Sequence, residues 1–400
     1  MQPRLWRALS AIAIAALLIS ACQPAAAPTG APADQPTAAP EQVGNFQIPA
    51  VQEGKFNVAM VLIGPHDDGG WSQAHYEGLQ YIAQNMANAH VAYVELVPEG
   101  ADSEQVFRSL ARKGFNLIFG TSFGYMDPMG TVAEEFPDTM FVHISGYKTN
   151  GKNFGNLFGA MEVMKYISGM IAGSRAKLDG QTKLGYMATF PIPEELRLGN
   201  AMALGMRRTC PECTMDIRWI NTWHDPVIEK EAAASLFDAG VHVVFTGADT
   251  PAAGDVATEK GKWGVNYDWF GNCTKARCLT TPYWNWGPVY LDIAKQTEAG
   301  TYVAGSQYFD ADSGALGLYG FMEGQTLQPG VAELPAEDLA LIKDTLQAAL
   351  DGQFTRFDVF AGPIKDNKGN TIVPEGGRIE QIDIDCFAGG EVPCQTGMYW

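Results

Sequence analysis

Basic residues are scarce in this chain, which has 27 Lys and Arg against 45 Asp and Glu and a formal net charge of −18. Proteins that bind nucleic acid need a positively charged surface to meet the phosphates. The charge balance therefore argues against nucleic acid as a partner. After the first 22 residues the sequence also has no run of about 18 apolar residues, so we expect no later membrane-spanning helix.

Several catalytic and cofactor-binding motifs are missing too. No Walker P-loop, H-E-x-x-H or helix-opening G-x-G-x-x-G occurs. The segment 120–124 does match G-x-S-x-G, with Ser122 at the position of a nucleophile and His and Asp residues downstream. However, Pro128 indicates that the next helix starts several residues after Ser122, and no His-Gly-Gly segment lies upstream. We expect no enzyme, no cofactor and no metal, with a serine hydrolase using Ser122 as an alternative.

The chain begins with the features of an export signal. Arg4 and Arg7 precede an apolar run at 11–18, and the run leads to Ile19-Ser20-Ala21-Cys22. A short apolar segment followed by small residues is typical of a cleaved signal peptide. A cysteine at the cleavage point is typical of a bacterial lipoprotein. We therefore predict a signal peptide at 1–21, a lipidated Cys22, and an anchor on the extracytoplasmic face of a membrane in the cell envelope.

The next segment, 22–50, is rich in Pro and Ala and predicts a linker. After Cys22 there are six cysteines in three close pairs, an even count that favours disulfides in an exported protein. The expected pairs are Cys210 with Cys213, Cys273 with Cys278, and Cys386 with Cys394. Two alternatives are a zinc site made by the first four cysteines and redox chemistry at Cys210 and Cys213.

From residue 56 onward the sequence alternates predicted strands and helices. A first series has strands near 56–63, 91–96, 116–119 and 140–144, and a second has strands near 183–187, 214–220, 241–245 and 263–265. Alternation of this kind predicts parallel sheets covered by helices. We expect an α/β protein with two doubly wound, Rossmann-like lobes. The first lobe would span 51–158 with part of 284–315, and the second 159–283 with 316–400.

The loops after these strands carry the candidate binding residues, since ligands of open α/β sheets bind beyond the carboxyl ends of the strands. Nearly every such loop combines an aromatic residue with Asp or Asn, which suits a flat ligand with a polar edge. Each candidate also has a structural interpretation, such as core packing for the aromatics or stabilisation of a helix start for the acids. The candidates are Asp68, Trp71, Phe123, Tyr125, Trp223, Asp249, Asp268 and Trp286.

Four segments carry a family resemblance: 68–78, which begins Asp-Gly-Gly-Trp, 97–102, 121–128 and 221–226. With them, residues 56–373 resemble the basic membrane protein family of ABC-transporter substrate-binding lipoproteins, and most closely a branch associated with purine-type ligands. The resemblance implies a type I periplasmic-binding-protein fold with two lobes, a hinge and a ligand cleft. It also implies a permease and an ATPase as partners, and we expect a monomer.

One segment departs from the family pattern. Nucleoside-binding members often carry a lysine that helps to hold the sugar, where this chain has Trp284-Asn285-Trp286. The departure favours a free purine base such as adenine over a nucleoside, and both stay open. A receptor of the same fold that senses its ligand without transport is a further alternative.

Overall fold

The computed structural model describes residues 41–379. The predicted signal peptide, Cys22, most of the predicted linker, and the pair Cys386 and Cys394 lie outside these residues. None of the helices within 41–379 combines the length and the apolar character that a membrane span requires.

The strands of the described part are, in chain order, β1 (Glu41–Val43), β2 (Phe46–Ile48), β3 (Phe56–Leu62), β4 (Ala89–Val94), β5 (Leu117–Thr121), β6 (Met140–Ile144), β7 (Phe154–Gly159), β8 (Lys183–Ala188), β9 (Thr214–Trp219), β10 (Val243–Thr246), β11 (Trp263–Val265), β12 (Cys278–Thr280), β13 (Pro282–Trp284), β14 (Ser306–Phe309), β15 (Leu316–Leu318), β16 (Ile364–Lys365) and β17 (Thr371–Val373). The α-helices are α1 (Trp71–Asn85), α2 (Ala101–Lys113), α3 (Met126–Glu135), α4 (Met161–Leu178), α5 (Pro193–Thr209), α6 (Pro226–Asp238), α7 (Ala252–Lys260), α8 (Trp286–Glu298), α9 (Pro329–Ala332), α10 (Ala336–Leu350) and α11 (Arg356–Val359).

The first large sheet has the strand order β14-β7-β6-β5-β3-β4, and all of its neighbouring strands are parallel. Its strands are apolar on both faces because helices cover both sides. In β3, Val58 and Met60 belong to one buried cluster, while Ala59 and Val61 belong to another on the opposite face. This alternation is the two-residue period of a strand with two buried faces.

The second large sheet has the order β12-β11-β10-β8-β9 and is also entirely parallel. Val243 and Phe245 face one core, and Val244 faces another. On one side, α4 packs closely against α5. At Gly205 of α5 an added Cβ atom would lie 1.8 Å from the backbone oxygen of Tyr166, so only glycine permits this approach of the two helices.

The chain passes between the two sheets three times. It leaves the first sheet after β7 to form α4, and it returns after β13 to form α8, which packs against α1. After β14 it leaves the first sheet again, and β15 pairs with β13. Two parallel, helix-covered sheets joined in this way confirm the predicted α/β class with two doubly wound halves.

Two of the three predicted disulfides lie within the described residues, and both are present: Cys210–Cys213 and Cys273–Cys278. Residues 41–379 contain no group of three or more His, Cys, Asp or Glu side chains that could hold a metal ion. Because the four cysteines are paired in these two disulfides, their sulfur atoms are not free thiolates. The predicted C-terminal hairpin is also present, since β16 and β17 pair in antiparallel fashion.

Candidate functional site

A cleft lies where the carboxyl ends of strands from both sheets meet. Its walls come from the segments that follow β3, β5, β6, β8, β9, β10 and β11. The space between its walls, including the part open to solvent, is about 360 Å³. It is lined by Ile63, Trp71, Ser122, Phe123, Ser145, Glu194, Glu195, Trp223, Gly247, Asp249, Tyr267 and Asp268.

Aromatic rings from both halves form the walls. Trp71 is fixed by a 2.7 Å hydrogen bond from its Nε1 to the backbone oxygen of Thr121, and its ring meets His75 edge-on at 4.2 Å between centroids. On the other side, the ring of Trp223 lies 4.9 Å from that of Phe190. Rings held by such contacts lose little further freedom when a ligand binds between them.

The turn that carries Trp223 is fixed by the start of the next helix. Asp225 caps α6, accepting hydrogen bonds of 3.0 Å from the backbone N–H groups of Val227 and Ile228, and Pro226 occupies the first helical position. Both residues favour a helix start at this point. The backbone N–H of Asp249 then donates to the backbone oxygen of Trp223 at 3.1 Å, which joins two neighbouring cleft loops.

Four carboxyl groups line the cleft, those of Glu194, Glu195, Asp249 and Asp268. Burial raises the pKa of Asp249 well above its ordinary range, and the nearby charge of Asp68 raises it further. Burial likewise raises the pKa of Asp268 strongly, although the positive charge of Lys165 opposes the shift. Acids that lose hydration without gaining enough partners favour their neutral form.

Some polar side chains of the cleft have hydrogen-bond partners within the described part of the protein, and others have none there. Glu195 accepts hydrogen bonds from the hydroxyl of Tyr186 at 2.8 Å and from the backbone N–H of Thr189 at 3.0 Å. Within the described residues, Asp249 Oδ2, Trp223 Nε1 and the Tyr267 hydroxyl are buried without a partner. Buried polar atoms are nearly always hydrogen-bonded, so these three atoms give the cleft the capacity to hydrogen-bond a polar molecule.

Five of the eight candidates from the sequence lie in the lining: Trp71, Phe123, Trp223, Asp249 and Asp268. The other three have structural roles: Asp68 stabilises a helix start, and Tyr125 and Trp286 pack inside the protein. The carboxylate of Asp68 accepts hydrogen bonds of 2.8–3.0 Å from the backbone N–H groups of 70, 72 and 73 at the start of α1. The hydroxyl of Tyr125 donates to the backbone oxygen of Val97 in the core. Trp286 lies in an aromatic stack behind the cleft, 4.6 Å from Trp284.

Sequence reasoning missed Glu194, Glu195 and the role of Tyr267. The two glutamates occupy the first turn of α5, where acids are common because they stabilise the helix dipole, so their position gave no separate signal. Tyr267 directly precedes the candidate Asp268, and a tyrosine just after a buried strand is equally compatible with core packing.

Ser122 does not form the nucleophile of a triad. Its Oγ donates a 2.6 Å hydrogen bond to Oε1 of Glu99. The ring Nε2 of His143 contacts the backbone oxygen of Ser122 at 2.7 Å and not its hydroxyl. A triad needs the base to bond the hydroxyl itself. The hydrolase alternative therefore has no support in the geometry.

Two parallel sheets whose strand ends enclose a buried aromatic and acidic cleft define a two-lobed solute-binding protein. The chain belongs to the Bmp family, whose model, described as ABC transporter substrate-binding protein PnrA-like, matches residues 55–335. This description is that of an extracytoplasmic substrate-binding protein of an ABC transporter and not of an enzyme.

Two relatives and one solved structure illustrate the relationship. Over 331 residues the chain is 31% identical to a purine-binding protein of Brucella abortus. The match covers 82% of this chain and 89% of the relative. Over 259 residues it is 37% identical to a Haloferax volcanii protein whose name describes an ABC transporter glucose-binding protein, TsgA13; this match spans 64% of the chain and 65% of the relative.

The solved structure is a solute-binding protein of an ABC transporter system from Aeropyrum pernix K1. It superposes with a TM-score of 0.64 at 18% identity, over 74% of this chain and 92% of the other. At this identity the similarity concerns the fold alone.

Proposed function

We propose that the cleft captures a purine, with a free base such as adenine bound ahead of its nucleoside, for delivery to an ABC permease and its ATPase. The observation that carries the proposal is the unpartnered Oδ2 of buried Asp249 at the edge of a slot walled by aromatic rings. A flat heteroaromatic ring would stack on Trp71 and Trp223 from the two halves. Its polar edge would then face the carboxyl groups.

The chemistry of Asp249 fits an aminopurine. Because its raised pKa favours the protonated acid, the carboxyl group offers one O–H donor beside one acceptor oxygen. An amino group next to a ring nitrogen presents the complementary acceptor and donor. The Tyr267 hydroxyl supplies a further donor for a ring nitrogen.

A hexose fits this lining less well, although one relative is named for glucose binding. Each sugar hydroxyl requires polar partners, whereas several polar groups of the lining are already engaged within the protein. Ser122 bonds Glu99, Glu195 bonds Tyr186, and one oxygen of Asp268 accepts a 2.9 Å hydrogen bond from Trp284. Trp284 lies in the segment where related nucleoside binders carry a sugar-holding lysine, which favours the base over the nucleoside.

Calorimetry on ligand-free protein tests the proposal with adenine, guanine, adenosine and D-glucose as probes. A base has about ten heavy atoms, and small ligands reach about −1 kcal/mol per atom, so we expect sub-micromolar adenine binding. Adenosine should bind no more tightly, and glucose should give no heat. Tight glucose binding with silent purines would overturn the ligand assignment. If adenosine binds more tightly than adenine, the cleft also recognises the sugar and the ligand is a nucleoside.

We also propose that Cys22 anchors the mature protein through lipid. Acyl chains on one cysteine supply the hydrophobic attachment, since each buried CH₂ group contributes about 0.8 kcal/mol. Replacing Cys22 with Ser should release the protein from the membrane fraction. Replacing Ser20 with Ala serves as the matched control and should leave the protein attached. If the Cys22→Ser variant stays in the membrane fraction after a salt wash, Cys22 is not the site of lipid attachment.

A further inference from the structure

Lys165 is a buried cation directly behind the cleft. It lies in α4 and its residue is only 1% exposed. Its Nζ donates a 3.0 Å hydrogen bond to the backbone oxygen of Thr246 at the end of β10. The same Nζ lies 3.1 Å from the centroid of the Tyr267 ring, and Tyr267 lines the cleft while Lys165 does not. A fully buried lysine is rare unless it is paired or has a task.

The groups around Lys165 are mainly acidic. Asp268 faces it from the segment after β11, and Glu194 and Glu195 face it from the start of α5. On α4 itself, Glu162 stands one turn earlier and forms an ion pair of 3.4 Å with Arg197. Burial lowers the pKa of Lys165 to about 7, although the three facing carboxylates oppose the shift. In turn, its charge lowers the pKa values of Asp268 and Glu195 against the effect of burial.

We propose that Lys165 is a positioning residue for ligand binding: its ammonium group, held from behind the cleft by the Thr246 oxygen, fixes the Tyr267 ring in the cleft wall and places a positive charge behind the acidic lining. The charge of Lys165 lowers the pH at which buried Asp268 ionises and can accept an N–H donor from the ligand. Lys165 acts through Tyr267 and the acids, without touching the ligand. The inference rests on the cleft being the binding site proposed above, but not on the ligand being a purine.

Three substitutions separate charge from packing. Lys165→Met removes the charge and keeps most of the volume, and Lys165→Gln removes the charge but keeps a donor for the Thr246 oxygen. Lys165→Arg keeps the charge. Lys183→Met is the control, because Lys183 is half-exposed in β8 and pairs with Asp216 at 2.8 Å, away from the cleft. Circular dichroism establishes which variants fold.

The first readout is adenine affinity by calorimetry between pH 5.5 and 9. In the Met and Gln variants the affinity at pH 7 should fall at least tenfold, and the curve of affinity against pH should move upward by about one unit, because Asp268 and Glu195 ionise later. The Arg variant, if it folds, should match the wild type near pH 6, where Lys165 is charged, and keep its affinity above pH 7, where Lys165 loses its charge. The proposal would be overturned if adenine affinity fell by the same factor at every pH, or if the dependence of affinity on pH did not change.

The second readout needs no ligand. The indole of Trp284 bonds Asp268, so tryptophan fluorescence of the ligand-free protein should report ionisation of that acid. Its pH midpoint should rise in the Met and Gln variants and stay in place in the Lys183 control. An unmoved midpoint contradicts the role of Lys165 whichever ligand the protein binds. Failure of the wild type to bind adenine, with the midpoint shifted, would instead reject only the purine assignment.

Discussion

The indole nitrogen of Trp284 donates a 2.9 Å hydrogen bond to Oδ1 of Asp268. Asp268 lines the cleft, and Trp284 stands behind it in an aromatic stack. The backbone of Asp268 has a φ of +69°, a conformation that costs a non-glycine residue free energy. It is held there by hydrogen bonds of 3.0 Å with Pro282 and Trp284 of β13. The fold thus fixes one carboxyl oxygen of Asp268 on the indole of Trp284.

Trp284→Phe should weaken adenine binding by about 1 kcal/mol, which is the usual net contribution of a hydrogen bond. The phenyl ring keeps most of the stack, but Asp268 loses the donor that fixes it. Calorimetry at pH 7 measures the change. Trp263→Phe is the matched control, since its Nε1 bonds Asp179 at 2.8 Å outside the cleft lining. A loss of affinity of equal size in the control would contradict a specific role for Trp284.

Removal of either aromatic wall should weaken binding of a flat ligand. Trp71→Ala and Trp223→Ala should each cost about 1–3 kcal/mol, the usual contribution of one base–aromatic stack. Phe270→Ala tests specificity, because Phe270 is a 44% exposed aromatic in a nearby segment that does not line the cleft. Equal adenine affinity in wild type and both Trp variants, measured by calorimetry, would exclude stacking between these rings.

The architecture was largely predictable because most strands of both sheets are continuous apolar runs between helices with clear starts. Strand β7 was missed, since Gly155 and Gly159 interrupt its apolar pattern. Both glycines serve close packing: a Cβ atom at Gly159 would lie 2.6 Å from the ring of Phe309. The local sequence pattern indicates strand propensity, but it does not show that a ring from a distant segment packs against a glycine. A strand with such glycines is therefore not recognisable from its sequence.

The site was only partly predictable for a related reason. Tyr125 and Phe123 are two residues apart after the same strand, yet a short turn sends Tyr125 into the core and Phe123 into the cleft. Asp68 and Asp249 are likewise both acids in loops after strands. Asp68 folds back onto the N–H groups of α1, while Asp249 Oδ2 has no partner in the described structure. The direction of each loop depends on tertiary packing.

Two substitutions of Asp249 should show whether binding needs the hydrogen-bonding groups of its side chain or a negative charge. Asp249→Ala should weaken adenine binding by about 1.5–3 kcal/mol. Asp249→Asn keeps one donor and one acceptor, as the protonated acid does, and should retain affinity within about tenfold, or about 1.4 kcal/mol. Asp67→Asn, at an exposed acid of the loop after β3, is the control in the same titrations. If Asn weakens binding as much as Ala, the ionised carboxylate is the binding form.

The two disulfides should contribute similar stability but differ in their effect on binding. Each closes a short loop, so paired Cys→Ser changes should each cost about 2 kcal/mol of unfolding free energy. Loss of Cys273–Cys278 should also reduce ligand affinity, because adjacent Asn272 donates hydrogen bonds to the backbone oxygens of Tyr267 and Gly69. Loss of Cys210–Cys213, between α5 and β9, should leave affinity unchanged. Denaturant titration and calorimetry measure the two effects, and equal affinities would contradict the link to Asn272.

Glu194 should make the ligand-free protein less stable as the pH rises. Burial, together with the charge of Glu195, raises its pKa from 4.5 to about 8. The folded state therefore binds this proton more tightly than the unfolded state, so the stability it contributes is complete below about pH 4.5 and is lost as the pH rises through about 8. In Glu194→Gln that dependence disappears.

The melting temperature of this variant should thus match the wild type near pH 5 and exceed it near pH 8. Scanning fluorimetry across this range measures the difference. Glu259→Gln, at an exposed position of α7, should give a curve parallel to that of the wild type. A constant difference between Glu194→Gln and the wild type at every pH would show that Glu194 does not titrate in this window, because only a change in proton binding gives stability a slope with pH.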